Sequence, residues 1–255
     1  ANNFDMFISI HSNAATDGNT TNYLYFAYDN DFTGNDKTLS IEMSRCGWNH
    51  RILDRHTKWS HYDYTMTAAD VAAGKGKIGY QGLGVLNHSV SGYLVEGYFH
   101  TYQPARHRYM NTDVCYLEGD AYAYGVNDYF KLGYEEKEAV IYGIVRDKDF
   151  KYTHEFYTPN PSTNDKYKPL NGVKVVLYNA TGDSIAEYTT DDEWNGAFIF
   201  RVEPGTYSLG YALEGYNEPE AEFTEQFTVT AGQKYYPEAF LRDVNYVPPT
   251  KVYVN

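Results

Sequence analysis

Met6-Phe7-Ile8-Ser9-Ile10-His11-Ser12-Asn13-Ala14-Ala15 is a short apolar strand that runs straight into a histidine. Further along, Gly92-Tyr93-Leu94-Val95 is a second apolar run, and it ends as abruptly in Glu96-Gly97. Short apolar runs of this kind read as buried strands. In an open α/β sheet the carboxyl ends of neighbouring parallel strands face one crevice, so an imidazole and a carboxylate at two such ends predict a shared site. There a neutral imidazole can hold a metal ion, and a carboxylate can take a proton from the metal's water. The same residues also read as rim groups, because a buried strand ending in a hydrogen-bonded histidine is ordinary.

The segment Phe4-Asp5-Met6-Phe7-Ile8-Ser9-Ile10-His11-Ser12-Asn13-Ala14-Ala15 closely resembles a signature strand of zinc-dependent N-acetylmuramoyl-L-alanine amidases. Ser91-Gly92-Tyr93-Leu94-Val95-Glu96-Gly97-Tyr98-Phe99 resembles the same family's strand that leads to its catalytic glutamate, with Tyr98 where the family usually has glycine. The resemblance implies an α/β amidase-like domain, a mostly parallel sheet with helices. It implies His11 as the last of three zinc ligands in a His, Glu, His set and Glu96 as the catalytic carboxylate. Asn13 and His100 are expected to contact substrate. The family carries its other two ligands upstream, and only ten residues precede His11. The remaining ligands are therefore expected before Ala1, with the N-terminal part of the domain missing and this stretch inactive by itself.

The activity so implied is hydrolysis of the amide between N-acetylmuramic acid and L-alanine in peptidoglycan or a muropeptide. Zn2+ would lower the pKa of its water toward about 7, and Glu96 would take the proton. Two non-catalytic alternatives stand beside it: a degenerate amidase-like binding module, and a surface carbohydrate-binding protein.

Composition bounds the choice. A chain of 255 residues, 42 % hydrophobic and 22 % charged, has room for two globular domains. No apolar run approaches the roughly 20 residues of a membrane span. A net charge of −13 argues against nucleic acid or an anionic membrane as partner. Aromatic residues make up 17 % of the chain, 28 of them tyrosines, as in secreted proteins that face carbohydrate. Tyrosines also simply fill strands. The expected location is the bacterial cell envelope, periplasmic or extracellular. Cys46 and Cys115 form no framework and no metal spacing, and both one bridge and two thiols remain open.

Along residues 1–137 the pattern mixes strands with helical stretches over Lys37 to Trp48, after Pro104, and over Asp120 to Leu132. His56 and His61 read as loop or surface groups, and His88 is an outside candidate near the Glu96 strand. From Ala139 the signal is all β: Ala139 to Asp147, Val173 to Tyr178 and Ala197 to Val202, separated by turn residues. Pro169-Leu170-Asn171-Gly172-Val173-Lys174-Val175-Val176-Leu177, Trp194-Asn195-Gly196-Ala197-Phe198 and Val202-Glu203-Pro204-Gly205-Thr206-Tyr207 closely resemble carboxypeptidase regulatory-like domains. That resemblance implies a non-catalytic transthyretin-like or Ig-like sandwich over residues 138–243. Residues 244–255 read as an extended tail or linker. The acidic run Asp191-Asp192-Glu193 beside Asn195 suits either a Ca2+ site or a solvated turn.

Overall fold

A computed structural model describes residues 5–15, 24–27, 46, 61–63, 92–217 and 225–246. The chain divides into two compact units, residues 1–106 with 115–135, and residues 107–114 with 136–255.

In the first unit β1 (Phe7–Asn13), β2 (Leu24–Ala27), β3 (His61–Asp63) and β4 (Gly92–Phe99) form one sheet in the order β1-β4-β2-β3. β1 and β4 pair in parallel, Phe7 opposite Gly92 through to His11 opposite Glu96. A shift in register then sets Asn13 opposite Phe99. α1 (Gln103–Arg108) carries Pro104 in its first turn, where the missing N–H costs no helical bond. α2 (Thr112–Phe130) is opened by Asn111, whose Oδ1 accepts from Asp113 N at 2.9 Å and Val114 N at 3.2 Å. That cap starts the helix well before the expected Asp120. Val95 and Tyr122 are buried together, with Met6, Ile8 and Tyr129 packed against them. Gly97 permits this approach, because a Cβ there would lie 2.9 Å from Glu118 Oε1.

The described residues do not show the expected mostly parallel amidase-like sheet. The described strands make a small mixed sheet in which β2 pairs antiparallel with β4 and parallel with β3. An antiparallel neighbour needs no crossover helix, so the alternation of strand and helix that builds a mostly parallel sheet is not required here. His61 lies in β3 rather than in a loop. The expected helix from Lys37 to Trp48, apart from Cys46, lies outside the described residues, as do His56 and His88. Cys46 and Cys115 are not joined by a disulfide.

The second unit is all β. It comprises β5 (Ala139–Lys151), a 3-10 turn (Asn164–Lys166), β6 (Tyr167–Pro169), β7 (Lys174–Asn179), β8 (Ser184–Thr189), β9 (Ala197–Val202), β10 (Gly205–Ala212), β11 (Tyr216–Asn217), β12 (Phe227–Val229), β13 (Lys234–Tyr235) and β14 (Glu238–Asp243). One sheet is antiparallel in the order β12-β10-β7-β8, and the other runs β11-β14-β5-β13 with β6 and β9 also paired to β5. Ile141, Val145, Val175, Leu177, Phe198, Leu209 and Leu241, drawn from both sheets, are buried in one core. Each contributes about 1.5–3 kcal/mol from leaving water. The sandwich expected from Ala139 onward is therefore present.

A charged cluster completes this unit. Asp165 Oδ1 accepts from Arg108 Nη1 at 2.9 Å and from Arg146 Nη2 at 2.8 Å, and all three side chains are buried. Arg146 alternates with Val145, which belongs to the sandwich core, so its side chain leaves β5 on the opposite face. The cluster ties residue 108 to β5 and to the 3-10 turn.

Candidate functional site

Of the four residues singled out in the sequence, His11 and Glu96 lie within β1 and β4, Asn13 ends β1, and His100 follows β4. His11 is exposed, stands opposite Glu96 in backbone register, and has Nε2 2.8 Å from Ser9 Oγ. Asn13 Oδ1 accepts from Ala14 N at 2.7 Å, and its carbonyl accepts from His100 N at 2.8 Å. His100 Nδ1 lies 3.1 Å from Ser12 Oγ, and Thr101 Oγ1 accepts from Ala15 N at 2.9 Å. These bonds fasten the end of one strand to the end of the other. Among the described residues no group of three or more His, Cys, Asp or Glu side chains is placed to hold a metal ion, and a catalytic zinc takes three protein ligands.

The acidic turn resolves as a turn. Asp191 Oδ1 accepts from Asn195 Nδ2 at 2.7 Å and from Glu193 N at 3.0 Å, and Asp191 Oδ2 accepts from Asn111 Nδ2 at 2.8 Å. Its carboxylate is thus occupied in holding Asn195 and Asn111, and Gly196 follows at φ +61°.

A different surface of the sandwich gathers chemistry that the sequence reading passed over. Phe150, Tyr152, His154 and Phe156 come at every second position as β5 runs out, and each ring meets the next, with centroids 6.3, 6.4 and 5.7 Å apart. His154 and Tyr157 exchange both backbone hydrogen bonds at 2.9 Å, which closes a tight turn with Glu155-Phe156 at its tip. Tyr157 is buried, and its hydroxyl donates to the Asp165 carbonyl at 3.2 Å, rooting that turn on the charged cluster. From the other side Trp194 sets its ring parallel to Tyr152, centroids 5.7 Å apart and planes 5° apart. Tyr152 and His154 are parallel in turn, at 6.4 Å and 4°. Lys168 Nζ lies 5.4 Å from the centre of the Trp194 ring and 5.9 Å from that of Phe150.

This ridge is open to solvent: Phe156 is 59 % exposed, Phe150 52 % and Trp194 39 %. Large apolar rings gathered at a surface mark a contact site. Trp194 also sits at φ +56°, a left-handed conformation that costs a non-glycine residue on the order of 1 kcal/mol or more. Its N–H is held by Asn171 Oδ1 at 3.2 Å. Such strain persists only where the surroundings enforce it, and it accumulates at binding positions. The ridge offers ring faces and edges for C–H contact, a phenol and an imidazole for hydrogen bonding, and one ammonium group. The alternation Phe150-Lys151-Tyr152-Thr153-His154-Glu155-Phe156 is a sequence signal that could have found half of it; nothing in the sequence links Trp194 to that run.

No family model matches the chain, and no curated protein matches it. Solved structures similar to part of it include the shaft pilin SpaA of Lactobacillus rhamnosus GG, 19 % identical over 42 % of this chain and 50 % of that one, with a TM-score of 0.28. The major pilin subunit BcpA of Bacillus cereus is 12 % identical over 42 % of this chain and 30 % of its own, TM-score 0.28. The Bacillus anthracis TIE protein is 14 % identical over 42 % and 18 %, TM-score 0.29. The matched part spans half or less of each of these proteins, and superpositions this partial carry no argument about function. The zinc-amidase reading is set aside: no family model matches the chain, and the described strands of the first unit make a small mixed sheet instead of a mostly parallel one. The hydrolase assignment is set aside with it.

Proposed function

We propose that this chain is a non-catalytic module of a bacterial protein of the envelope or cell exterior, and that it attaches to carbohydrate through the aromatic ridge of its sandwich. The scaffold is of the transthyretin-like or Ig-like kind. The observation that carries this reading is the ridge itself: Trp194, Tyr152 and His154 ring-parallel, flanked by exposed Phe150 and Phe156 and by Lys168. Aromatic rings present apolar surface at low entropic cost, and tyrosine and histidine add polar atoms that reach hydroxyls. A net charge of −13 favours a neutral ligand over a polyanion. No described helix is long and apolar enough to cross a membrane.

The test is glycan-array screening followed by calorimetry on the best ligand, with chromatography of the glycan before and after incubation. The expected result is binding without turnover, with Trp194→Ala lowering affinity tenfold or more, which corresponds to about 1.4 kcal/mol. Equal affinity of wild type and Trp194→Ala, or no glycan bound at all, would overturn the proposal.

A further inference from the structure

The two segments that present the ridge meet on one imidazole. His107, in the last turn of α1, has Nδ1 2.8 Å from the carbonyl oxygen of Glu193 and Nε2 2.9 Å from the carbonyl oxygen of Phe156. Glu193 immediately precedes Trp194, and Phe156 is the tip of the turn after β5. A carbonyl oxygen only accepts, so making both bonds at once needs a hydrogen on each ring nitrogen. Neutral imidazole carries one N–H and would turn a lone pair toward one of the two oxygens; imidazolium donates to both, and charged donors make the stronger bonds. The backbone that carries the ring is held in place. The His107 carbonyl accepts from Asn195 Nδ2 at 3.3 Å, and the next residue, Arg108, is tied to Asp165.

We propose that His107 is a proton-dependent clamp on the ridge, locking the Phe156 turn and the Glu193-Trp194 turn together when its ring is protonated and releasing one of them when it is neutral. The effect on ligand rests on the carbohydrate reading above; the clamp itself does not. The other charged and titratable groups on the elements around it are Arg106 and Arg108 on its own helix, His154, Glu155 and Tyr157 on the turn after β5, and Asp191, Asp192 and Glu193 on the acidic turn. Tyr157 stands closest as a ring, with centroids 5.7 Å apart. Asp191 is held by Asn111 and Asn195, and Arg108 by Asp165.

The experiment is hydrogen exchange with mass readout over segments 153–157 and 191–196, corrected for intrinsic rates, from about pH 5.5 to about pH 8, the range in which histidine changes charge. It is run on wild type, His107→Gln and His154→Gln, alongside ring nitrogen chemical shifts of His107 in the unmutated protein and glycan affinity across the same range. The clamp predicts that protection of at least one segment falls severalfold as pH rises in wild type and in His154→Gln. His107→Gln should show no such step, and both His107 ring nitrogens should carry hydrogen at the low end. Protection in wild type without a pH step, or the same step in His107→Gln, overturns the clamp, as does a neutral ring at the low end. A step in exchange with no glycan bound would leave the clamp standing and sink the carbohydrate reading. Binding that ignores pH, with no exchange step, would do the reverse.

Discussion

Arg146 donates from Nη2 to Asp165 Oδ1 at 2.8 Å in a place where both side chains are almost wholly shielded from water. Arg108 reaches the same oxygen, so one carboxylate faces two guanidinium groups. Burial works against the Arg146 charge, but attraction from Tyr236 and Asp165 outweighs it and holds the group above its usual range. Removing Asp165 takes the carboxylate that two buried guanidinium groups share. Asp165→Ala is expected to cost about 3–5 kcal/mol, read as a lower urea midpoint in the unfolding of the second unit. A loss under about 1 kcal/mol would show that water reaches the site and relieves it.

Gly196 and Trp194 both have positive φ but should respond in opposite ways. At Gly196, φ is +61° and a Cβ would stand 2.4 Å from the Val145 carbonyl oxygen. Gly196→Ala should therefore cost more than about 2 kcal/mol in thermal or chemical unfolding. At Trp194 a glycine relieves the left-handed strain while discarding the ring. Trp194→Gly should shift stability by no more than about 1 kcal/mol and abolish binding at the ridge. A large stability loss in that variant would mean the ring is structural.

Alkaline pH should destabilise the sandwich. Burial pushes the Tyr188 hydroxyl up to about 12; its hydrogen bond with Asn111 opposes this, while Asp113 and Asp191 reinforce it. Tyr216 is raised by burial and by Asp147, Tyr211 by burial and by Tyr235, and Tyr235 by burial. In each case the folded state prefers the neutral phenol. The contribution is therefore fully present below the unfolded value of about 10 and is lost as pH climbs through the folded values. Urea midpoints taken from about pH 9 to about pH 12, with tyrosinate absorbance followed in parallel, should fall across that window. A flat profile would contradict the burial of these hydroxyls.

Binding at the ridge should be nearly insensitive to salt. A neutral ligand held by ring contacts and hydrogen bonds gains little from long-range charge, so its affinity should change less than about threefold between roughly 50 and 500 mM salt. Lys168→Ala, which removes the ammonium near Trp194 and Phe150, should weaken it only modestly, by about 0.5–1 kcal/mol. A steep loss of affinity with salt in calorimetry would identify an anionic ligand instead.

The strands of the second unit are legible in the chain because their apolar runs are bounded by turn residues. Ala139 to Arg146 is buried throughout, as an unbroken run of that length reads, and Asn195-Gly196 marks its turn by the conformation only glycine takes easily. In the first unit the two strands leading to His11 and Glu96 can be read, and so can their meeting. The chemistry attached to them does not follow from that meeting, because backbone register does not say which side chains converge.

By itself, then, the sequence determined the apolar runs that become β1, β4, β5, β7 and β9 and that residues from Ala139 onward build a sandwich, since periodicity and turn chemistry act over a few neighbouring residues. Tertiary structure alone decided what that sandwich presents. Trp194 comes beside Tyr152 across 42 positions, Asp165 gathers Arg108 and Arg146, and His107 spans two carbonyl oxygens 37 residues apart in the chain. Such meetings depend on how two sheets fold onto one core, a long-range outcome with no local pattern to announce it.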